Sequence, residues 1–269
     1  MKVALLQISQ QWADIDSNIL RAERLFSSVT ADLYILPEMW DTGFVVDSDE
    51  ITPREEDSKA LEWMKAKTRE RDCAVVGSTL VRVGEEIFNR AYFVSSGEVL
   101  GSYDKFHLFA PGGETKYVSK GQRRTIVEWR GVRFLLCICY DLRFPVWCRN
   151  RMEGSRPQYD VMLEMACWPT SRMLVWKTLL AARAIENQAI VIGSNRAGTD
   201  PYCEYPGMSM CVNSYGEIQD VMGSREGAFV TTLPLGHLEH FRNHFLIFDD
   251  ADDFEIKNLH RYEKNFINT

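Results

Sequence analysis

Short runs of apolar residues that contain β-branched or aromatic side chains recur along this chain, and many of them are continuously apolar. Examples are KVALLQI near the amino terminus, VRFLLCIC in the middle and AIVIGSN in the last third. The apolar residues in these runs do not alternate with polar ones, which is typical of strands buried on both faces. Such strands need cover on each side of their sheet, so the pattern favours two sheets packed together with helices outside. A Ser-Gly dipeptide at 96–97 predicts a hairpin turn between two of the runs.

Three segments between the apolar runs have apolar residues at helical spacing, which predicts helices. They are residues 16–29, 55–72 and 170–188. The second segment begins with acidic residues and ends with basic ones, as the helix dipole favours. The third is the longest, and either Thr170 or Ser171 is predicted to cap its amino-terminal end.

The charge and length of the chain narrow the class of protein. A chain of 269 residues fits one large α/β domain or two small ones. The formal net charge is -7 and no block of basic residues occurs, so we expect neither nucleic acid nor an anionic membrane as a partner. No stretch approaches the roughly 20 apolar residues of a spanning helix, and the apolar patch near Met1 is too short for a signal peptide. We therefore expect a soluble, cytoplasmic protein.

The seven cysteines do not form a recognisable disulfide or zinc pattern. Their number is odd and no C-x-x-C occurs, so we expect mostly buried free thiols. Two of them, Cys137 and Cys139, close the apolar run of the segment CICYDLRFP. Residues two apart in a strand point to the same face, so alternation does not separate them. Position does, because Cys139 lies next to the chain reversal and Cys137 is one step deeper in the strand.

Three chemically active side chains follow apolar runs: Glu38 after LYILP, Lys105 after GSYD and Cys139 after FLLCI. Ligands of open α/β sheets bind beyond the carboxyl ends of strands, so these side chains are predicted to share a crevice. A carboxylate can take the proton of a thiol nucleophile, while an ammonium and the backbone N–H of Tyr140 stabilise an oxyanion. Taken singly, each has a simpler interpretation as a solvated carboxylate, a surface lysine or a core cysteine.

The segments LPEMW, YDKFHLF and CICYDLRFP resemble the glutamate, lysine and cysteine motifs of the nitrilase superfamily of carbon–nitrogen hydrolases. The resemblance implies that Cys139 is the nucleophile, Glu38 the general base and Lys105 the oxyanion-stabilising lysine. In FAPGGETKYVSKG, Glu114 matches a second family glutamate.

The same resemblance implies a fold and an organisation for the whole chain. The fold is a four-layer α-β-β-α sandwich, in which two mixed β-sheets pack face to face with helices outside. Residues 1–269 would form a single domain, with about the last 20 residues as a carboxy-terminal tail. No cofactor and no metal is expected, and the protein is expected to be a homodimer or a higher homo-oligomer.

The downstream segment 168–200 resembles the branch that contains ω-amidases, which remove ammonia from short ω-amides of dicarboxylic acids. A cysteine-dependent amidase acting on a small amide through a thioester is therefore the predicted function. Arg143 and Arg196 are candidates to bind the substrate carboxylate. Aromatic residues near the motifs are candidates to wall a small pocket, and they are Trp168, Phe44, Tyr117 and Trp147.

The residues leave other functions open. Nitrile hydrolysis, N-carbamoyl hydrolysis or acyl transfer would use the same three side chains, and a non-catalytic binding protein of this fold is the alternative from another class. His107 lies close to Lys105 and is expected to support the strand end rather than to pair with a cysteine. The histidines at 237, 240 and 244 share one helical face, and a solvated face is favoured over a metal site.

Two departures from the family pattern stand out in the sequence. Cys167 precedes Trp168 and Pro169 at a place where relatives commonly have a small polar residue. Val146 and Trp147 follow the cysteine motif at a place where relatives usually have an acidic residue. The first departure bears on the floor of the pocket and leaves the three motifs intact.

Overall fold

The computed structural model describes residues 1–47, 51–245 and 247–252. The predicted carboxy-terminal tail lies almost entirely outside the described residues. No helix within the described ranges has the length and apolar composition needed to cross a membrane.

Sixteen strands and six α-helices occur in the described residues. The strands are β1 (Lys2–Gln7), β2 (Leu33–Ile35), β3 (Ala74–Val83), β4 (Glu86–Ser95), β5 (Glu98–Asp104), β6 (Ile126–Trp129), β7 (Val132–Ile138), β8 (Met152–Glu153), β9 (Arg156–Pro157), β10 (Val161–Ala166), β11 (Ile190–Asn195), β12 (Ala197–Thr199), β13 (Glu204–Pro206), β14 (Met210–Val212), β15 (Ile218–Val221) and β16 (Gly227–Thr232). The helices are α1 (Ile15–Ser28), α2 (Lys59–Glu70), α3 (Glu114–Tyr117), α4 (Pro145–Cys148), α5 (Met173–Asn187) and α6 (Leu235–His244).

Two six-stranded sheets form the centre of the molecule. The first has the order β16-β1-β2-β3-β4-β5, and the second has the order β15-β14-β11-β10-β7-β6. In the first sheet β1, β2 and β3 are parallel, whereas β16, β4 and β5 pair antiparallel. In the second sheet β7, β10 and β11 are parallel, and the flanking strands are antiparallel. Both sheets are therefore mixed, as predicted.

The hydrophobic core lies in three layers that explain the continuous apolar runs. Between the sheets, Ile35 of the first packs in one cluster with Leu136 and Ile192 of the second. The outer face of the first sheet is covered by α1 and α2, and that of the second by α5. Neighbouring residues of β7 divide between layers, since Leu136 faces the other sheet and Cys137 faces α5. The predicted four-layer sandwich is confirmed.

The three predicted helices are present, with changes at their starts. Asp14 caps α1 by accepting a hydrogen bond from the Ser17 N–H at 3.0 Å. Ser58 caps α2 at Leu61, so that helix begins at Lys59 rather than at 55.

The predicted cap of the third helix is wrong. Residues Thr170–Arg172 form a 3₁₀ turn, and α5 begins at Met173 without a side-chain cap. The Thr170 hydroxyl donates instead to the carbonyl oxygen of Glu204 at 3.1 Å.

The hairpin between β4 and β5 forms at the predicted Ser-Gly pair. Ser96 has φ +53° and Gly97 has φ +78°, as a two-residue turn that matches strand twist requires. The hairpin directs β5 back along the first sheet, so that Lys105 follows its last residue.

Candidate active site

Three buried charges predicted from the sequence lie in direct contact. The Lys105 Nζ donates to Glu38 Oε1 and to Glu114 Oε2, each at 2.8 Å. The side chains of all three residues are 0% exposed. Asn89 joins the two carboxylates from another side, since its Nδ2 donates to Glu38 Oε1 at 3.0 Å and to Glu114 Oε1 at 3.1 Å. One ammonium thus lies between two carboxylates, and the side chains of all three residues are inaccessible to bulk solvent.

Backbone groups fix these side chains in position. The second oxygen of Glu38 accepts from the backbone N–H of Cys167 at 3.0 Å, directly beyond β10. Glu114 Oε2 accepts from the Phe109 N–H at 2.6 Å, and Lys105 donates its own N–H to the Asn89 carbonyl oxygen at 3.0 Å. Each carboxylate is therefore held by both an ammonium and a peptide group.

The mutual effects on pKa follow from this geometry. Burial alone would lower the pKa of Lys105, but the carboxylates of Glu114 and Glu38 outweigh it and hold that pKa well above its usual value. Burial raises the pKa of Glu114, and the Lys105 ammonium opposes that shift. Lys105 therefore stays charged throughout the physiological pH range.

Cys139 follows β7 directly and starts a 3₁₀ turn (Cys139–Arg143) with φ +47°. The left-handed conformation costs an L-residue roughly 1–2 kcal/mol, so strain is stored at this position. Its Sγ lies 4.0 Å from the carbonyl oxygen of Cys167 and lines a cavity. Cys137 is fully buried in the layer against α5, as its deeper position predicted.

Burial raises the pKa of the Cys139 thiol well above its ordinary value. The negative charge of Glu38 acts in the same direction, and the Lys105 ammonium only partly opposes both. The thiol is therefore protonated at neutral pH and needs a base to act as a nucleophile.

Hydrogen bonds to the Asp141 carboxylate stabilise the turn that carries Cys139. Its Oδ2 accepts from the Ile138 N–H at 3.0 Å and from the Tyr103 hydroxyl at 2.8 Å. Its Oδ1 accepts from the His107 N–H at 3.1 Å and lies 2.8 Å from His107 Nδ1. The His107 ring also stacks on Phe144 with centroids 3.6 Å apart. His107 thus supports the end of the strand, as expected from the sequence.

A cavity of about 550 Å³ opens above Cys139. Three of the four aromatic residues predicted as wall residues line it, namely Trp168, Phe44 and Tyr117. Tyr140 and Arg143 line it as well.

Trp147, by contrast, lies behind the wall of the cavity. Its ring stacks on Phe106 with centroids 3.8 Å apart, and its Nε1 donates to the Tyr103 hydroxyl at 3.0 Å. The prediction of Trp147 as a wall residue is therefore wrong, because its ring packs into the core.

Arg196 is not brought to the cavity. Its side chain is 0% exposed, with Nη1 3.4 Å from Asp200 Oδ2 and Nη2 donating to the Gln10 carbonyl oxygen at 3.0 Å. Its guanidinium also lies 4.2 Å from the centroid of the Tyr205 ring. The guanidinium of Arg196, which the sequence suggested as a ligand of the substrate carboxylate, is therefore bound by groups inside the protein.

Several residues that contact the buried charges or line the cavity lie outside the glutamate, lysine and cysteine motifs. Asn89 bridges the two carboxylates, and Lys116 and Arg172 line the cavity. Asn89 had a detectable signal, because it interrupts an apolar strand at a buried position. Arg172 had none beyond its place in the downstream segment that resembles ω-amidases.

The three histidines of α6 are exposed, and the His240 and His244 rings lie 4.0 Å apart. No group of three or more His, Cys, Asp or Glu side chains suited to a metal ion occurs in the part of the chain that the structure describes. The three histidines therefore lie on a solvent-exposed face of α6.

Comparisons with known proteins identify the family of the chain. The family model described as carbon-nitrogen hydrolase matches residues 2–243. The chain is 37% identical over 259 residues to the omega-amidase YafV of Escherichia coli strain K12, covering 95% of this chain and 98% of that protein. It is 32% identical over 253 residues to the 2-oxoglutaramate amidase of Bacillus subtilis strain 168, covering 92% and 96%.

A solved structure extends the likeness to the fold. XC1258 from Xanthomonas campestris, a CN-hydrolase superfamily protein with an arsenic adduct in its active site, superposes with a TM-score of 0.92. The two chains are 33% identical, and the match covers 96% of this chain and 99% of that one. Because the family model spans most of the chain and relatives above 30% identity align along nearly all of it, this chain belongs to the carbon–nitrogen hydrolase family.

Proposed function

We propose that this protein is a cysteine-dependent amidase that hydrolyses a short ω-amide of a dicarboxylic acid to the dicarboxylate and ammonia. The observation that carries the proposal is the buried set of Glu38, Lys105 and Glu114 beside the cavity that Cys139 lines. The relatives named omega-amidase and 2-oxoglutaramate amidase, at 37% and 32% identity, support this class of substrate.

In the first step the Cys139 thiol gives its proton to Glu38 as its sulfur attacks the amide carbon. The new C–S bond moves the carbonyl π electrons onto oxygen, and the tetrahedral oxyanion forms. The Lys105 ammonium and the Tyr140 N–H stabilise that charge, and removing one such donor typically costs about 10²–10³ in rate. Glu114 and Asn89 hold Lys105 and Glu38 in place for this step.

In the second step the oxyanion collapses and the C–N bond breaks. Protonated Glu38 gives its proton to the leaving nitrogen, so ammonia departs and a thioester remains on Cys139. Glu38 then takes a proton from water, which attacks the thioester carbon. Collapse of that intermediate breaks the C–S bond, and the proton returns to the thiolate. The cycle consumes one water and needs no external oxidant or reductant.

The far end of the substrate carries a carboxylate in this proposal, and Arg143 is its proposed ligand. Arg143 lies four residues after Cys139, and its Cζ is 5.3 Å from the centroid of the Trp168 ring. That contact orients the guanidinium against a buried wall of the cavity. A carboxylate bound there receives charge-assisted hydrogen bonds, which are worth roughly 1.5–3 kcal/mol each.

We also propose a cytoplasmic homo-oligomer, on two lines of support. All seven cysteines are free thiols, which fits a reducing compartment. Large apolar side chains are exposed on and beside α5, among them Leu174 at 79% and Ile185 at 53%. Light scattering of the purified protein would test the oligomer, and a monomer at micromolar concentration would refute it.

Ammonia release tests the proposed function directly. The substrates are the four- and five-carbon monoamides, their methyl esters, a simple aliphatic amide, the matching nitriles and an N-carbamoyl acid. We expect the two monoamides to have the highest kcat/KM and Cys139→Ala to release no ammonia. Turnover by Cys139→Ala, or a preference for nitrile or carbamoyl substrates, would refute the proposal.

A further inference from the structure

The wall of the cavity carries more positive than negative charge, although the chain as a whole has a formal net charge of -7. Three cationic side chains line the cavity, namely Lys116, Arg143 and Arg172, against the two acidic side chains of Asp47 and Asp200. A cavity of opposite sign to its protein concentrates anionic ligands, because low-dielectric walls focus the local field.

One of the two acidic side chains is already neutralised. Asp200 Oδ2 lies 3.4 Å from Arg196 Nη1 and accepts from the Tyr205 hydroxyl at 2.7 Å. Its Oδ1 accepts from the N–H groups of Tyr202 and Cys203, each at 2.8 Å. The charge of Asp200 is therefore compensated mainly by Arg196. Among the cavity residues that the structure describes, Asp47 is then the acidic side chain that faces the cationic wall without such a partner.

The two arginines of the wall are linked through Trp168. The Arg143 Cζ lies 5.3 Å from the centroid of the Trp168 ring, and the Trp168 Nε1 donates to the carbonyl oxygen of Arg172 at 2.8 Å. The Arg172 Cζ lies 5.3 Å from the centroid of the Phe109 ring on the other side. An arginine packed against an aromatic ring keeps its N–H edge available for a planar anion.

Both guanidiniums contact aromatic rings, but neither has an anionic partner among the described residues. Within the described ranges, no carboxylate lies within ion-pairing distance of Arg143 or Arg172, and no hydrogen bond from either side chain to a protein acceptor occurs. This sets them apart from Arg196, whose guanidinium binds Asp200 and the Gln10 carbonyl oxygen. Two partly buried guanidiniums without anions, in one cavity with a nucleophilic thiol, indicate a ligand that supplies the anion.

We propose that Arg172 is a second ligand of the substrate carboxylate, acting together with Arg143. This inference rests on the proposed function and extends it. The guanidinium fork matches the two oxygens of a carboxylate, so two arginines can hold one carboxylate by several N–H groups at once. Because Arg143 follows Cys139 and Arg172 follows β10, a bound carboxylate bridges the two segments beside the nucleophile. The specificity for monoamides of dicarboxylic acids is thereby assigned to a pair of residues rather than to one.

Kinetics of charged and uncharged substrates test the pair. The five-carbon monoamide and its methyl ester would be compared in the wild type, Arg172→Gln and Arg143→Gln. Each substitution is expected to lower kcat/KM for the acid at least tenfold and to leave the ester within about twofold, since the ester makes no charge-assisted bond. The matched control is Arg156→Gln, because Arg156 is exposed, pairs with Glu128 and does not line the cavity.

The type of cation provides a second test of Arg172. Arg172→Lys keeps the charge but loses the planar fork, so it is expected to recover part of the lost kcat/KM for the acid. An equal loss for acid and ester in Arg172→Gln, or an unchanged rate for the acid, would overturn the proposal. Thermal unfolding of each variant would show whether a loss of activity arises from a loss of folding. If Arg172→Gln is unfolded, the ratio of kcat/KM for the acid to that for the ester in Arg172→Lys tests the proposal, and a wild-type ratio would overturn it.

Binding without turnover separates this inference from the proposed function. In a Cys139→Ala background, calorimetry with the five-carbon monoamide measures Kd in the presence and absence of Arg172→Gln. Binding weakened at least tenfold by Arg172→Gln supports the carboxylate site even if the wild type releases no ammonia, in which case the proposed function alone fails. Equal Kd values for the two proteins would overturn the inference whatever the activity.

Discussion

Replacing Lys105 with methionine tests whether the buried charges act as one unit. Methionine keeps the length and apolar stem of lysine but donates no hydrogen bond. In the described part of the chain, Lys105 is the cation that contacts both Glu38 and Glu114, and all three side chains are 0% exposed. The substitution therefore leaves two buried carboxylates that share the side-chain amide of Asn89.

The expected magnitude follows from these contacts. Breaking a buried ion pair by removing one partner typically costs about 3–5 kcal/mol, and here one ammonium serves two carboxylates. We expect the free energy of unfolding to fall by about that amount near neutral pH, out of a total of roughly 5–15 kcal/mol. Loss of the oxyanion donor should lower kcat by about 10²–10³ in addition.

The stability loss should depend on pH with a definite sign. Burial already raises the pKa of Glu114 and Lys105 opposes it, so removing Lys105 raises that pKa further. A carboxyl group whose pKa is higher in the folded state binds protons more tightly there than in the unfolded chain. Its contribution is then present below the unfolded pKa of about 4.3 and is lost as pH rises towards the folded value.

Urea unfolding followed by tryptophan fluorescence, at about pH 5.5 and about pH 8.5, measures both effects. The deficit of Lys105→Met relative to the wild type should be larger at the higher pH. The control is Lys105→Met combined with Glu114→Gln, which removes one charge of each sign and should recover stability but not activity. Equal deficits at both pH values, or a kcat within tenfold of the wild type, would refute the reasoning.

Three further predictions concern single side chains. Glu38→Gln keeps shape but accepts no proton, so kcat should fall by about 10²–10⁴ in the ammonia assay, and a near-normal rate would make Glu38 structural. Cys139→Ala should abolish ammonia release and stay folded. Cys137→Ala should stay active, and its free energy of unfolding in urea should fall by about 1 kcal/mol. The reverse pattern would contradict the assignment of Cys139 as the nucleophile. Burial, followed by the charge of Asp141, raises the pKa of Glu164 well above its usual value, and neither carboxyl oxygen has a hydrogen-bond partner among the described residues. Stability should therefore fall as pH rises above about 4.3, and Glu164→Leu should reduce that fall and add roughly 1–3 kcal/mol at alkaline pH in urea unfolding; an unchanged pH slope would argue against a buried neutral carboxyl.

The layered fold was predictable because burial acts on every residue of a central strand. In β7, Leu136 packs between the sheets and Cys137 packs against α5, so neither face tolerates a run of polar residues. The strand ends were predictable for the same reason, since the apolar run stops where the chain leaves the sheet. Position and motif therefore predict the same three residues, Glu38, Lys105 and Cys139.

The contacts that complete the site were not predictable from local sequence. The Cys167 N–H that holds Glu38 lies 129 residues away along the chain, and only the packing of the two sheets brings it close. The cap of α5 failed for a related reason. Thr170 bonds to Glu204 from a distant segment, and this tertiary contact replaces the local cap.

The sequence does not distinguish Arg196, which binds an anion inside the fold, from Arg172, which does not. Both follow buried strands, and a guanidinium at a strand end suits a substrate carboxylate in either case. The difference lies in the anions available inside the fold, since Asp200 stands four residues after Arg196 and binds it at 3.4 Å. Arg172 has no such internal anion in the described structure and is left for a ligand.

The buried charges themselves are the strongest physical argument for function. Desolvation makes a buried ion pair a weak source of stability, and apolar residues of similar volume often do as well or better. Here an ammonium and two carboxylates are fully buried. Their desolvation and the left-handed backbone of Cys139 both lower the free energy of unfolding. Departures of this kind from stable packing concentrate at sites of chemistry. In the proposed mechanism, the neutral thiol of Cys139 gives its proton to Glu38 when an amide carbonyl occupies the cavity, and the Lys105 ammonium then stabilises the oxyanion that forms.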